Sequence, residues 1–350
     1  MMRRISTEGQ SGPAGADTRA VFYAVTNAGY FPATVALLNS LRLTGHQHEV
    51  VFGDCGLTAD QRARLAPHGR LVDIPDGPDR DPLLLKSFAY SLDVEGVVAT
   101  IDSDMIVTGD LSDTLALSAR GSVCAWIDPE DYRCFPEWEQ LFGLAEPPRR
   151  QDYISTGFVC WSAERWPRLL GRWRELCERI PVGATLAQGA TNADAFAQGD
   201  QDALNALLMT EVPPEALLPL RADERPVWRN TEVEVHDATT LTCSIDGHPP
   251  KLLHADGSRK PWQARTWWRV RNDAYVRLFR RLLFSEDVVV RALPSEVPLW
   301  LRPGLLGTTC LRILDSINSV TSFVFRRRTT RYVARHAKVF RRRLRARLAQ

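Results

Sequence analysis

The sequence predicts an α/β fold in which a mixed, mainly parallel sheet is flanked by helices. Apolar strand patterns alternate with helical patterns from residue 20 onward, which is typical of parallel strands joined by crossover helices. The chain has 350 residues, 44% of them apolar, so it can bury the core of one large domain and carry an appendage. A β-branched run at residues 97–101 leads directly into carboxylates, as a buried strand does when it ends at a ligand-binding edge.

The first predicted strand covers residues 20–26, and a polar turn then leads into a helix at about residues 32–42. A Rossmann-like sheet begins in this way, and the loop after its first strand lies at the carboxyl edge where ligands bind. We therefore expect Thr26, Asn27 and Tyr30 to face a ligand, while an ordinary turn of the same composition is the alternative.

Strand and helix patterns then alternate as far as Lys86. Strands are predicted at residues 48–52 and 70–74, with a helix at residues 59–65 between them. A Pro- and Gly-rich loop opens a helix at about residue 84, which places Lys86 in its first turn. From there Lys86 would reach a phosphate group, and a solvated surface lysine is the alternative interpretation.

The fourth strand carries two carboxylates. If residues 97–107 form one extended strand, Asp102 and Asp104 point the same way, because successive side chains alternate between faces. Neighbouring carboxylates repel each other and are costly to desolvate unless a cation lies between them. The pattern predicts a divalent metal site, with a solvated acidic turn as the alternative.

An aromatic-rich insertion at residues 128–150, which includes Tyr132, Phe135 and Trp138, interrupts the next part of the chain. We assign it to acceptor contact, because long loops inside a domain are usually functional or mobile. The regular elements around it are a helix at residues 111–119 capped by Asp110, a strand at 122–127, a loop that leads into a buried strand at 152–161, and a helix at 163–179.

Two later segments carry polar groups of chemical interest. Gly199 precedes a helical run that starts with acids; Asp202 is assigned either to a cap or to the site, whereas we favour a functional role for Asp200 and Gln201. Residues 252–262 supply the imidazole of His254, a glycine at which backbone can approach a phosphate, and the cation of Lys260.

These segments resemble the family 8 glycosyltransferases, the retaining, metal-dependent enzymes of GT-A fold that include glycogenin and bacterial lipopolysaccharide galactosyl- and glucosyltransferases. The resemblance covers residues 20–265 and rests on three motifs in the family's order. They are Ile101 to Asp104, Gly199 to Asn205, and His254 to Trp262, of which the last is the most specific.

The resemblance implies a retaining enzyme that moves a hexose from a nucleotide sugar, expected to be a UDP-sugar, to a hydroxyl of a saccharide or lipid-linked acceptor. Asp102, Asp104 and His254 would hold Mn²⁺, with Mg²⁺ as the alternative. Gln201 would lie under the sugar and Asp200 would hold its hydroxyls, as the catalytic residues. The donor would contact Thr26, Asn27, Tyr30, Lys86, Ser103, Ser155, Thr156, Gly257 and Lys260.

Two departures from the family pattern limit what carries over. Ser155, Thr156 and Gly157 stand where the family has an Asn-containing triplet, so the identity of the donor sugar does not transfer. The acidic residue common in the family's first turn is missing. The rival interpretations are a nucleotidyltransferase or nucleotide-sugar hydrolase on a similar sheet, and an inactive GT-A domain that binds a membrane surface.

Composition suggests where the protein works. The seven cysteines are widely spaced without a C-x-x-C motif, which fits a reducing, cytoplasmic compartment. We expect residues 1–19 to be a disordered leader without a secretory signal, residues 20–265 to be the catalytic domain, and residues 266–350 to be a helical, basic extension. No membrane-spanning helix is expected.

The C-terminal region is basic. A basic amphipathic helix at residues 263–284 is predicted either to pack on the core or to lie on a membrane. Residues 326–350 hold eleven Lys or Arg and no acid, so we expect them to be attracted to the anionic inner face of a membrane and not to nucleic acid.

Overall fold

A computed structural model describes residues 18–75, 80–128, 133–220, 233–255, 260–264 and 274–313, and its main feature is a seven-stranded sheet. The strands of the described part of the chain are β1 (Ala20–Thr26), β2 (Glu49–Asp54), β3 (Arg70–Asp73), β4 (Val97–Ile101), β5 (Met105–Val107), β6 (Val123–Ile127), β7 (Ile154–Ser162), β8 (Leu217–Pro219), β9 (Glu234–Asp237), β10 (Thr242–Ser244) and β11 (Leu252–His254).

The large sheet has the order β3-β2-β1-β4-β7-β6-β8. Strand β1 pairs in parallel with β2 and β4, β2 with β3, and β6 with β8, whereas β7 is antiparallel to both β4 and β6. The prediction of a mixed, mainly parallel sheet is therefore confirmed. Because β7 runs against its neighbours, its amino end lies at the same edge as the carboxyl ends of β1, β4 and β6.

Helices cover both faces of this sheet. They include α1 (Phe31–Leu43), α2 (Ala59–Leu65), α3 (Ser112–Ala119), α4 (Trp138–Phe142), α5 (Leu169–Glu178), α6 (Asp200–Glu211) and α7 (Ala274–Phe284). Strand β7 shows the two layers: Phe158 and Cys160 belong to the buried cluster of α1, α3 and α7, while Val159 and Trp161 belong to that of α4, α5 and α6. A strand covered on both faces reads as a continuous apolar run, as residues 158–161 of β7 do.

The acidic segment is two strands and not one. Strand β4 ends at Ile101, residues 102–104 form a turn, and β5 pairs antiparallel with β11, outside the large sheet. The expectation that strand alternation aligns Asp102 and Asp104 was wrong. The turn, closed by a 3.0 Å hydrogen bond from the Met105 amide to the Asp102 carbonyl, brings the two residues together.

Other boundaries also differ from the prediction. The helix expected at residue 84 is a 3₁₀ helix, Pro82–Ser91, and the helix expected at 163–179 spans only α5. Helix α3 begins at Ser112, and Asp110 precedes its cap, where its Oδ1 accepts hydrogen bonds from the amide and hydroxyl of Ser112. The loop and buried strand predicted at residues 152–161 correspond to β7, which begins at Ile154.

The C-terminal part of the described chain packs on the core. In α7, Tyr275, Leu278, Phe279 and Leu282 are buried and join the cluster of α1, which favours core packing over a membrane position for this helix. Residues 265–273 and 326–350 lie outside the described residues, and residues 305–313 are helical. Among the residues that the structure describes, no helix has the length and apolar content needed to cross a bilayer.

Candidate active site

A cavity of about 430 Å³ opens at the carboxyl ends of β1, β4 and β6, a volume in the range of small-molecule sites. It lies beside the β1–β4 pair, where chain order reverses in the sheet, and open α/β sheets bind ligands at such points. Except for Gly257, which lies outside the described residues, every predicted site residue lines this cavity: Thr26, Asn27, Tyr30, Lys86, Asp102, Ser103, Asp104, Ser155, Thr156, Asp200, Gln201, His254 and Lys260.

Two carboxylates and an imidazole converge in this cavity. His254 Nε2 lies 3.1 Å from Asp104 Oδ1 and 3.8 Å from Asp102 Oδ2. The pairing of β11 with β5 produces this approach, because it places His254 opposite Met105, the residue after Asp104. Residues 150 positions apart in sequence therefore face one another.

Each of these carboxylates also contacts a lysine through its second oxygen. Lys86 Nζ lies 3.0 Å from Asp102 Oδ1, and Lys260 Nζ lies 2.6 Å from Asp104 Oδ2. Both lysine side chains are about 15% exposed (15% and 14%), so the alternative of a solvated surface lysine is wrong for Lys86.

The donor set fits a divalent cation. One atom each from Asp102, Asp104 and His254 lie within 4.8 Å of one another, close enough for a shared ion after small side-chain movements. Asp102 Oδ2 and Asp104 Oδ1, which face His254, are the carboxylate oxygens that the two lysines do not contact. Two carboxylate oxygens and one imidazole nitrogen are ligands that suit Mn²⁺ or Mg²⁺, with the nitrogen favouring Mn²⁺.

The same contacts set the protonation of these groups. Burial raises the pKa of Asp104, but the charges of His254 and Lys260 lower it by more, so the pKa lies well below its usual value. Burial lowers the pKa of His254, and Asp104 and Asp102 raise it by more, so it lies above its usual value. The Asp104 carboxyl is therefore an ionised ligand at neutral pH.

Asp200 also lines the cavity, at the start of α6. It is 2% exposed; its Oδ1 accepts a 3.1 Å hydrogen bond from the Thr156 hydroxyl, and its Oδ2 has no hydrogen-bond partner in the described part of the chain. The pKa of Asp200 is raised to about 7: burial and the charge of Asp102 raise it, and the charge of Lys86 lowers it. A buried acid with an unfilled acceptor and a shifted pKa is typical of a functional site.

Gln201 links two strands at the mouth of the cavity. Its Oε1 accepts a 3.0 Å hydrogen bond from the Thr156 amide, and its Nε2 donates across 3.3 Å to Asp128 Oδ2. Thr156 is also bound by Lys86, which donates to its carbonyl and hydroxyl oxygens at 3.1 and 2.9 Å. The register between β6 and β7 shifts beside this residue, and such irregularities re-aim polar groups next to active sites.

Asp202, for which two interpretations were open, is structural. It forms a fully buried ion pair with Arg133, whose Nε and Nη2 donate at 2.9 and 2.7 Å. It also accepts hydrogen bonds from the Tyr153 hydroxyl and the Gln198 amide, both at 2.8 Å. The contact with Gln198, whose amide precedes α6, is of the capping kind.

Two glycines make this geometry accessible. Gly199, the N-cap of α6, has φ 57° and ψ −117°, and a Cβ there would lie 2.6 Å from the Leu83 carbonyl oxygen. A Cβ on Gly157 would lie 2.7 Å from Met105 Cε and 3.2 Å from Asp102 Oδ2. Only glycine lets β7 approach the acidic turn this closely.

The residues expected around a nucleotide lie near the carboxyl end of β1. The Thr26 hydroxyl is buried against the Thr34 hydroxyl at 2.6 Å, which leaves little of this side chain for a ligand. Asn27 Oδ1 accepts a 3.0 Å hydrogen bond from the Tyr30 amide, and the Tyr30 ring packs edge-on against Trp262. The turn is therefore tied to the segment that carries Lys260.

Sequence reasoning missed several lining residues, among them Asp128, Gln198 and Cys55. Asp128 directly follows the strand predicted at 122–127, which is the same signal that identified Asp102. The assignment of the 128–150 insertion to acceptor contact is wrong for Trp138, which is fully buried and donates to the Ala195 carbonyl at 2.7 Å. Residues 129–132, including Tyr132, lie outside the described residues.

The structure is similar to several solved protein structures. No protein-family model matches the sequence, and no curated protein sequence matches it. The galactosyltransferase LgtC, solved with donor and acceptor sugar analogues, is 16% identical, with 76% of this chain and 98% of that chain covered at a TM-score of 0.48. The bifunctional glycosyltransferase WbbM is 15% identical, with 77% of this chain covered at a TM-score of 0.48, and this chain spans 50% of its length. The glycosyltransferase GlyE of Streptococcus pneumoniae TIGR4 is 18% identical, with 79% of this chain and 65% of that chain covered at a TM-score of 0.42.

Proposed function

We propose that the protein is a metal-dependent, retaining glycosyltransferase of the family 8 type, which transfers a hexose from a UDP-sugar to a hydroxyl of a saccharide or lipid-linked acceptor. One observation carries this proposal: Asp102, Asp104 and His254 converge with Lys86 and Lys260 in a cavity at the ligand-binding edge of the sheet. This combination of acids, imidazole and ammonium groups suits a metal-bound diphosphate.

Cleavage of the bond to the anomeric carbon leaves negative charge on the departing diphosphate. When bound at Asp102, Asp104 and His254, a divalent cation supplies positive charge against it. The ammonium groups of Lys86 and Lys260 lie beside the same carboxylates and add fixed positive charge. Charge that acts on the leaving group more strongly in the transition state than in the ground state raises the rate.

Asp200 and Gln201 are proposed to hold the transferred sugar. Both line the cavity, and Asp200 Oδ2 has no hydrogen-bond partner within the described residues, so a sugar hydroxyl would supply one. A neutral or half-ionised carboxyl in this position can either donate to or accept from a hydroxyl. Gln201 is held by Thr156 and Asp128, which orients its amide.

Mn²⁺-dependent UDP binding tests the proposal. We expect the double variant Asp102→Asn, Asp104→Asn to lose measurable Mn²⁺·UDP binding by calorimetry while its thermal unfolding stays cooperative. Asp113→Asn, an exposed acid on α3 outside the cavity, is the matched control and should bind as the wild type does. Unchanged Mn²⁺·UDP affinity in the folded double variant would refute the metal site.

Product analysis separates the transferase from its rivals. Incubation of the protein with a labelled UDP-hexose, Mn²⁺ and a saccharide acceptor should give a labelled glycoside and UDP. A hydrolase would release free hexose, and a nucleotidyltransferase acting in reverse would release hexose phosphate in the presence of pyrophosphate. Retention predicts a glycoside with the anomeric configuration of the donor.

We also propose that residues 326–350 bring the enzyme to an anionic membrane surface on the cytoplasmic side. Their eleven basic residues and lack of acids support this, because each basic residue near such a surface contributes about 1 kcal/mol. The full chain should sediment with vesicles that contain anionic lipid and not with neutral ones, and a chain ending at residue 325 should stay in solution. Equal sedimentation of both chains would contradict the proposal.

A further inference from the structure

Two lysines lie within the proposed metal and phosphate site. Lys86 contacts one oxygen of Asp102 at 3.0 Å, and Lys260 contacts one oxygen of Asp104 at 2.6 Å. The whole chain contains four lysines against forty arginines, and two of the four lie here. Both are largely withdrawn from solvent, so water screens their charges only in part.

Further contacts hold both ammonium groups in place. Besides Asp102, Lys86 donates to the Thr156 carbonyl and hydroxyl oxygens, which uses the three hydrogens of its ammonium group. Lys260 donates to the Ala255 carbonyl at 2.7 Å as well as to Asp104. A metal ion that binds to the two carboxylates in the absence of a phosphate therefore does so next to two positive charges.

We propose that Lys86 and Lys260 act as built-in counter-ions that make a divalent cation and a diphosphate bind cooperatively, so that neither binds tightly alone. This inference rests on the proposed function. Without a diphosphate, the lysines already neutralise the carboxylates and repel an added cation. Without a cation, the carboxylates hold the lysines and repel the diphosphate. When both ligands are present, the cation binds the carboxylates and the lysines bind the phosphate oxygens.

The same arrangement selects the class of ligand. A nucleoside diphosphate supplies enough negative charge for both the cation and the two ammonium groups, whereas a nucleoside monophosphate supplies less. We therefore expect the cooperativity with Mn²⁺ to be strong for UDP and weak for UMP.

Substitution of a lysine should change the affinities for the two ligands in opposite directions. In Lys260→Met, the Asp104 carboxylate keeps its charge but loses its internal counter-ion, so Mn²⁺ alone should bind more tightly. UDP in the presence of Mn²⁺ should bind more weakly, because one phosphate partner is gone. A lysine that only supported the local fold would weaken both ligands when substituted.

Calorimetry tests this with three titrations: Mn²⁺ alone, UDP with a chelator, and UDP with saturating Mn²⁺. In the wild type, each ligand should raise the affinity for the other by the same factor, about 5- to 150-fold. Lys260→Met and Lys86→Met should each bind Mn²⁺ alone several-fold more tightly and lose most of that coupling. Lys251→Met, which substitutes a lysine outside the cavity, should match the wild type.

The outcomes are separable. Mn²⁺ binding that is equally tight with and without UDP in the wild type would overturn the counter-ion role while leaving the metal site intact, and so would weaker binding of Mn²⁺ alone in both lysine variants. Absence of any Mn²⁺·UDP binding in the wild type would instead refute the proposed function. If thermal unfolding shows that one lysine variant is not folded, the other variant and the wild-type coupling still decide.

Discussion

Asp200→Asn should make the ligand-free protein more stable at pH 8, although it removes a proposed catalytic residue. Asp200 is 2% exposed and its Oδ2 has no hydrogen-bond partner among the described residues, so its ionised form is poorly compensated. Asparagine has nearly the same shape and carries no charge. The substitution therefore removes the cost of burying a carboxylate and leaves the packing nearly unchanged.

The raised pKa of Asp200 gives the size of the effect. The pKa is about 7 in the folded protein against 3.8 in the unfolded chain, and burial is the main cause. This difference corresponds to about 4 kcal/mol of unfolding free energy at a pH above both values. Since the folded pKa is the higher one, the wild type has this stability below about pH 4 and loses it as the pH rises to about 7.

Urea unfolding of both proteins at about pH 5 and about pH 8, without ligands, measures the difference. The difference between the two unfolding free energies should grow by about 2–3 kcal/mol in favour of Asp200→Asn from the lower pH to the higher one, because the wild type has lost only part of this stability at pH 5. Other titrating groups are common to both proteins and cancel in the comparison. A variant that is less stable at pH 8, or a difference that does not change with pH, would refute the reasoning.

Two further substitutions test the surroundings of the site. Gly157→Ala should lower the unfolding free energy by about 1–3 kcal/mol and lower the affinity for Mn²⁺·UDP, because the added methyl group crowds Asp102 Oδ2. Gly171→Ala is the control, since no atom lies within 4 Å of a Cβ added there. Equal behaviour of the two variants in urea unfolding and calorimetry would contradict the prediction. Asp202→Asn should cost about 3–5 kcal/mol in urea unfolding because it leaves Arg133 buried without a charged partner, and a cost below about 1 kcal/mol would show that the pair is not energetically coupled.

The sequence predicted the secondary structure well where a local pattern is compatible with only one type of element. Strand-helix alternation predicted β1, β2 and β3 within a few residues, and α2 was predicted at its observed bounds, where Thr58 and Gln61 form a capping box. The same pattern could not show that the acidic segment leaves the sheet. Strands β5 and β11 pair across about 145 residues of chain, and nothing local in either strand indicates its partner.

The members of the site were predictable, but their contacts were not. Strand ends and the His254 segment identified the residues that line the cavity, because parallel strands present their carboxyl ends at one edge. The lysines were expected to face a phosphate, and the structure shows that each also contacts a carboxylate. The composition of the sequence and the spacing of its motifs indicate which types of side chain line the site. Which of these side chains form hydrogen bonds or ion pairs with one another depends on differences of a few ångströms, which the sequence does not give.

Asp200 and Asp202 show most clearly that contacts cannot be predicted from spacing. Both are buried in the first turn of α6, with only Gln201 between them. Burial raises the pKa of each. Asp202 meets Arg133, Tyr153 and the Gln198 amide, which satisfy both of its oxygens, so its charge holds the structure together. Among the described residues, the Asp200 carboxyl accepts one hydrogen bond, from the Thr156 hydroxyl, and its Oδ2 has no hydrogen-bond partner. The fold therefore pairs the Asp202 carboxylate fully and leaves Asp200 Oδ2 without a hydrogen bond, which lowers the stability of the protein. A ligand that donates a hydrogen bond to Asp200 Oδ2 would offset that cost.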